Sequence, residues 1–366
     1  MKLVYLSPVS WSSFAQRPHR FVEWFRNTTQ GSVLWIDPYP TRLPAWSDVT
    51  RKEAAVPVAG PSALPPNFEL LVPRALPVEP LPGSGWINGF LWADIRRTVR
   101  ELATSDDVVL GIGKPSELAL QLLALDGFAK TFYDAMDDFP EFYTGLSRMS
   151  MARRERQVAS KVTNVLVSST ALSLRWKKRG DVLLARNACD VETLPATDLA
   201  RGDGRGEVLG YVGTMGAWFD WDLVSSIAKA RSDAKVRLVG PVFSAPPADL
   251  PSNIELLPPC EHSKALKIMQ QFSVGLVPFK INRLTESVDP IKYYEYRALG
   301  LPVISSDFGE MRFHREDRGV FLVDRAADAG DVVDRALRYE TTAEEVDAFR
   351  ARNSWGARFS STGLFG

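Results

Sequence analysis

The sequence predicts an α/β protein built of two doubly wound, parallel-sheet domains. Three observations carry this. Short apolar runs alternate with helical patterns almost throughout, as expected for strands covered on both faces and joined by crossover helices. The alternation stops over residues 191–205, a Pro-, Gly- and charge-containing stretch ending Arg201-Gly202-Asp203-Gly204-Arg205-Gly206, and then restarts, which reads as an interdomain linker. The 366 residues also exceed one domain of about 100–200 residues. The expected boundaries are 1–195, 206–340 and a helical tail over 341–366.

The first-half strands are expected at 3–6, 33–36, 70–72, 108–110, 131–133, 165–167 and 182–184, with helices at 17–26, 94–102, 116–125 and 148–160. Second-half strands follow at 208–212, 236–239, 254–257, 274–277, 303–305 and 320–323, with helices at 222–231, 263–271 and 289–299. The tail 343–359 is again helical in pattern. Residues 46–85 are proline-rich and weakly periodic, so they read as long loops around one strand. No short-period repeats occur.

Lys plus Arg equals Asp plus Glu, at 44 each, which argues against a nucleic-acid binder driven by bulk charge. Cys189 and Cys260 have no metal-ligand spacing, so neither a zinc site nor a disulfide framework is expected, and a reducing cytoplasm is the natural compartment. The start reads as a strand rather than a signal peptide. No apolar run approaches the ~18–20 residues of a membrane span, so membrane contact would be peripheral, on the inner face. Gly111-Ile112-Gly113-Lys114 lacks the earlier glycine and following Ser/Thr of a P-loop, and no Gly-x-Gly-x-x-Gly follows the first strand. Walker-type and dehydrogenase readings therefore weaken.

The most informative stretch runs from Asp289 to Ile304. Asp289 can cap a helix, Pro290 fits its first position, Gly300 can end it and Pro302 blocks continuation. Lys292 lies in the first turn and shares a face with Glu295. A cation beside the free N–H groups of a helix start is electrostatically odd unless an anion binds there. A diphosphate on Lys292 and a ribose hydroxyl on Glu295 would explain the pair; an exposed helical ion pair is the plainer alternative. Gly213-Thr214, after the first strand of the second half, can approach a phosphate or form an ordinary turn. Asp134, Asp137 and Asp138 place three carboxylates within five residues. If they converge, at least one pKa should rise, which suits a base for an acceptor hydroxyl, Asp137 ahead of Asp138. A helix N-cap with solvated acids is the alternative. Phe14, Gln16 and Arg17 follow the first strand, where ligands bind in such folds, and are the candidate acceptor contacts; an exposed helix start is the plainer reading. His262 and His314 are assigned no role.

In the order of these motifs, the second half resembles the GT-B glycosyltransferases. The residues are Leu209-Gly210-Tyr211-Val212-Gly213-Thr214, Val236-Arg237-Leu238-Val239-Gly240-Pro241, Asn253-Ile254-Glu255-Leu256-Leu257, Val274-Gly275-Leu276-Val277-Pro278-Phe279 and the Asp289–Ile304 block. The resemblance implies two Rossmann-like domains with a cleft between them, an N-terminal acceptor domain and a C-terminal nucleotide-sugar domain. The tail Asn353-Ser354-Trp355 is similar to the terminal helix that returns to the first domain. The family usually has two glutamates with seven residues between them; here Glu286 and Glu295 have eight. Glu295 matches the ribose-binding one, and Glu286 or Asp289 stands for the other. Met215–Trp221 replaces the family's usual Arg and Lys, leaving Lys292 as the main cation, with Tyr294 beside it in the donor set. This variant is similar to the teichuronic-acid-type enzymes and the xanthan glucuronosyltransferase, as are Trp11–Arg20 and Tyr133–Phe139, where Asp137 matches a catalytic base.

The resemblance implies transfer from a UDP- or GDP-type sugar donor to a hydroxyl of an envelope or extracellular glycan, free or lipid-linked, with no metal or other cofactor. A non-catalytic scaffold subunit and a nucleotide-sugar epimerase are the alternatives. Two basic aromatic stretches, 86–92 with Arg96 and Arg97, and 174–179, fit contact with anionic membrane or solvated helix faces.

Overall fold

The computed structural model describes residues 1–40, 64–77, 79, 84–197, 206–324 and 328–365. Most of the proline-rich stretch and the end of the expected linker lie outside the described residues. The chain divides into two compact units. Of the described residues, one holds those up to Ala185 together with the final ones from Phe359, and the other holds those of Arg186–Arg358.

The first unit runs β1 (Lys2–Leu6), α1 (Arg17–Thr29), β2 (Ser32–Ile36), β3 (Phe68–Leu71), α2 (Ser84–Gly89), α3 (Ala93–Leu102), β4 (Val108–Ile112), α4 (Glu117–Leu122), β5 (Lys130–Ala135), α5 (Gly145–Lys161), β6 (Asn164–Val167), α6 (Thr170–Trp176) and β7 (Val182–Leu184). Its strands form one sheet in the order β3-β2-β1-β4-β5-β6-β7, parallel at each pairing. Alternation along β1 shows why the sheet is covered twice. Val4 and Leu6 join the core with Trp92, Ile95 and Leu118. Tyr5 points the other way, its ring 5.7 Å from Phe21, 5.6 Å from Trp35 and 6.3 Å from Phe132. The end of the chain closes this second layer, with Phe359 against Phe21 and Phe365 against Trp24 and Phe25.

One buried ion pair ties that layer to the sheet. Pro18 lies in the first turn of α1, where its missing N–H costs nothing. Arg17, beside it, is 3% exposed. Its Nε and Nη2 donate to Asp134 Oδ1 at 3.1 and 3.0 Å, and Nη1 donates to the Ala185 carbonyl at 2.7 Å. The guanidinium also lies over the Phe359 ring.

The second unit runs β8 (Val208–Val212), α7 (Trp221–Ala230), β9 (Lys235–Val239), β10 (Ile254–Leu257), α8 (His262–Met269), β11 (Val274–Val277), α9 (Ile291–Ala298), β12 (Val303–Ser306), β13 (Val320–Val323), α10 (Ala329–Leu337), α11 (Ala343–Arg352) and the start of α12 (Trp355–Ser360), whose last residues belong to the first unit. Its parallel sheet has the order β10-β9-β8-β11-β12-β13. Helix α9 is seated by a glycine. A Cβ on Gly275 would stand 2.3 Å from the Tyr296 ring. Without one, Tyr296 lies on the sheet and its hydroxyl accepts the Val212 N–H at 3.0 Å. Gly300 ends α9 with φ 76°, as its sequence context predicts.

Three expectations need correction. The strand expected at 70–72 lies at Phe68–Leu71. The tail is two helices rather than one, because the Asn353 carbonyl accepts the Cys189 N–H at 3.1 Å instead of continuing the ladder. Asp289 does not cap α9 through its side chain. The N-cap is Pro290, and the Asp289 carboxylate is turned to Asn187 N–H and Tyr294 Oη.

Replacing Arg17 by Met leaves a buried carboxylate without its cation, so R17M should lower the unfolding free energy of this unit by about 3–5 kcal/mol. The R17M/D134L double variant should recover most of that loss. Urea unfolding of the two variants beside the parent measures both.

Candidate functional site

In doubly wound sheets ligands collect at the carboxyl ends of the strands, where loops and helix starts converge.

In the first unit the strand order reverses between β1 and β4. There the Gly113 N–H donates to the Leu6 carbonyl at 2.8 Å. Lys114 follows. It is half-buried, and burial pushes its ammonium pKa down, opposed by the Glu79 carboxylate. Glu79 is itself occupied by Tyr39 Oη at 2.6 Å and by Arg154. Among the described residues no hydrogen bond or ion pair reaches the Lys114 ammonium.

The three aspartates at the end of β5 and just after it divide by partner. Asp134 is fully buried and held by Arg17 and by Tyr5 Oη at 3.3 Å. Asp138 pairs with Arg175, which also reaches Glu155 at 2.5 Å. Asp137 lies between them with no hydrogen bond or ion pair among the described residues. Burial pushes Asp137 up to about 7; the Arg17 guanidinium opposes this, and Asp134 and Asp138 add to it. The carboxyl is only half-buried, so it can exchange a proton with solvent or a ligand. Burial also raises Glu155 to about 7, against Arg175.

The acceptor candidates separate. Phe14 is 55% exposed. Gln16 precedes α1 and donates its N–H to His19 Nδ1 at 3.1 Å. Arg17 is corrected: buried and bonded to Asp134 and the Ala185 carbonyl, it holds Asp134 from within the unit rather than meeting an acceptor.

In the second unit Gly213 and Thr214 follow β8. The Gly213 N–H donates to Val239, and the Thr214 carbonyl accepts Tyr211 Oη at 3.0 Å. Helix α9 carries no acid in its first turn. Lys292 Nζ lies 2.5 Å from Glu295 Oε2, with side chains 23% and 9% exposed. An ammonium has three N–H donors, so this pair leaves two for a ligand anion. The pair lies beside the N–H groups of the helix start, where negative charge is favoured.

Two of the donor candidates are withdrawn from contact. Tyr294 is fully buried and Asp289 is 4% exposed; Tyr294 Oη donates to the Asp289 carboxylate at 3.0 Å. The tyrosine serves Asp289, which in turn holds the segment after β7 through the Asn187 N–H at 2.6 Å. Burial raises Asp289 to about 6, with His314 lowering it and Glu310 raising it. Glu286 is exposed in the turn before α9.

Sequence reasoning missed Arg186 and Glu310. Glu310 is 1% exposed and its Oε1 lies 2.5 Å from Arg186 Nε. It sits in the 3₁₀ turn Gly309–His314 after β12. Gly309 takes φ 45°, and a Cβ there would stand 2.5 Å from the Thr285 and Val288 carbonyls. Position after a core strand was the available signal. Lys114 was visible as a motif but was weighed only as a P-loop lysine.

No protein-family model matches the chain, and no curated protein matches it. Solved structures do. Sucrose-phosphate synthase from Thermosynechococcus elongatus superposes with a TM-score of 0.71 at 14% identity, covering 99% of this chain and 98% of that one. The Anabaena protein HepE, in complex with UDP and glucose, gives 0.64 at 12% identity, covering 100% and 99%. The lipopolysaccharide outer core galactosyltransferase WaaB in its apo form gives 0.64 at 10% identity, covering 100% and 99%. The fold is that of the GT-B glycosyltransferases.

A carboxyl raised in the folded state binds a proton that the unfolded chain has released. Between the unfolded Asp pKa of about 4 and the folded value of about 7, rising pH therefore costs the native state. D137N removes that cost. Its stability relative to the parent should climb from about pH 4 to about pH 7 and stay level above, as read from urea midpoints across that range.

Proposed function

We propose that the protein is a glycosyltransferase that moves a sugar from a nucleotide-diphosphate donor to an acceptor hydroxyl. The observation that carries this reading is the Lys292–Glu295 pair at the uncompensated start of α9. A diphosphate would take the two remaining ammonium donors and the helix N–H groups, together with the Thr214 N–H after Gly213. A ribose hydroxyl would bond to Glu295. As the glycosidic bond breaks, charge grows on the leaving diphosphate, and these fixed donors stabilise it without rearrangement. They occupy the electrostatic role that a metal has elsewhere, so the proposed reaction uses no bound metal. The fold supports the reading, since HepE on this fold was solved with UDP and glucose.

Asp137 is the proposed base. With a pKa of about 7, it is partly ionised at neutral pH and can take the acceptor hydroxyl proton as the new bond forms. Asp138, held by Arg175, adds its charge to the rise of the Asp137 pKa. Phe14, Gln16 and Lys114 are the proposed acceptor contacts, Lys114 meeting an anionic group.

The finer reading is a lipid-linked envelope or extracellular glycan as acceptor, as in the teichuronic-acid and xanthan enzymes that the motifs resemble. The support is an exposed apolar patch in the first unit. Trp86 is 76% and Phe90 72% exposed, with Ile87 and Leu91 beside them, and Arg96 and Arg100 line the same hollow. No helix of the described residues is long and apolar enough to cross a membrane. An aromatic and basic surface of this kind suits docking on anionic lipid.

Release of nucleoside diphosphate from UDP- and GDP-sugars, with and without lipid-linked glycan acceptors, tests the reading. One nucleotide should raise the melting temperature by mass action, and K292A should abolish that shift. D137N should keep the shift and lose turnover, with the parent's rate rising through about pH 7. A folded protein that no nucleotide stabilises would favour the scaffold reading, in which Lys292 and Glu295 satisfy only each other. On vesicles rich in anionic lipid, the W86A/F90A variant should bind more weakly than the parent in a flotation assay.

A further inference from the structure

We infer that the second unit carries another ligand site, for a small hydroxyl-bearing phosphate, on a different face of α9 from Lys292 and Glu295. It goes beyond the proposed activity and does not depend on it. Tyr293 and Arg297 are one helical turn apart and so share that face. They line a cavity of about 600 Å³ completed by the turn around His314–Arg318 and by the helices of the tail. That volume suits a metabolite-sized ligand.

The cavity wall includes His314, which carries an unsatisfied polar atom. His314 is 9% exposed, and its Nε2 is buried with no hydrogen-bond partner among the described residues. The ring is fixed from two sides. It stacks on Tyr293 at 4.2 Å, and Nδ1 lies 2.8 Å from Asp317 Oδ2. With Nδ1 held by the Asp317 carboxylate, Nε2 is the ring's unpartnered polar atom. A buried ring nitrogen without a partner is costly, and a ligand hydroxyl, which can donate or accept, would satisfy it.

The walls favour an anion. Arg297, Arg318, Arg352 and Arg358 line the cavity. The acids on the same walls are already engaged: Glu345 takes Arg318 at 3.2 Å, Arg297 at 3.8 Å and Tyr339 Oη at 2.9 Å, and Asp317 takes Tyr293 Oη and His314. Glu344 is exposed to solvent. Arg318 is 82% exposed, and the Arg352 Nε–H reaches only the Ala348 carbonyl of its own helix. Each keeps guanidinium donors for phosphate oxygens. Arginines on separate elements suit a three-oxygen anion better than a planar carboxylate.

Titration calorimetry of the full chain with glucose 6-phosphate, inorganic phosphate and glucose tests the site. Glucose 6-phosphate should bind at least about tenfold more tightly than inorganic phosphate, and glucose should give no heat. The surface double variant R318A/R352A should weaken glucose 6-phosphate about tenfold or more. H314Q should weaken glucose 6-phosphate while leaving inorganic phosphate unchanged, and K292A should leave both unchanged. Absence of glucose 6-phosphate binding at millimolar concentration would overturn the inference. So would equal affinity for inorganic phosphate, or binding lost in K292A but kept in R318A/R352A.

Discussion

Covering a parallel sheet on both faces confines polar chemistry to its edges. In β1, β4, β5 and β8 nearly every side chain is buried, so charged groups near those strands gather where the strands end. In the first unit the edge is held by Arg17, which crosses from the start of α1 to Asp134 at the end of β5. In the second it is held by Gly275, whose missing Cβ lets Tyr296 seat α9 against the sheet. Lys292 and Glu295 therefore present a fixed helix start rather than a mobile loop.

The carboxylates at these edges show how the fold separates structural acids from a reactive one. Asp134, Asp138, Asp289 and Glu310 each have a cation, hydroxyl or amide aimed at them. Asp137 lies between two of them and is half-buried, yet among the described residues no such partner reaches it. Its neighbours thus repel its charge while the nearest cation is already bonded to Asp134. The same logic distinguishes Lys292, partly neutralised but with donors left, from Arg17, whose guanidinium is enclosed.

Much of this was legible in the sequence. Apolar runs such as Val108-Val109-Leu110 and Val274-Gly275-Leu276-Val277 marked buried strands because both faces are covered, and Pro290 and Gly300 bracketed α9 through backbone chemistry that is local. The Lys292–Glu295 contact followed from helical spacing alone. What remained hidden depends on distant partners. Nothing near Arg17 in sequence shows that Asp134, more than a hundred residues on, will bury it. Tyr294 looked like a ligand contact until the fold turned it to Asp289. Arg186 and Glu310 are far apart in the chain, and neither belongs to a local pattern. Helix α10 went unrecognised, and the tail broke at Asn353 because of a backbone bond to Cys189.

A crystal structure of the protein with UDP at saturating concentration would show directly whether α9 holds a nucleotide diphosphate. Diphosphate oxygens are expected within hydrogen-bond distance of Lys292 Nζ and of the Thr214 N–H, with a ribose hydroxyl on Glu295. Nucleotide bound elsewhere, with Lys292 and Glu295 still paired only to each other, would contradict this placement.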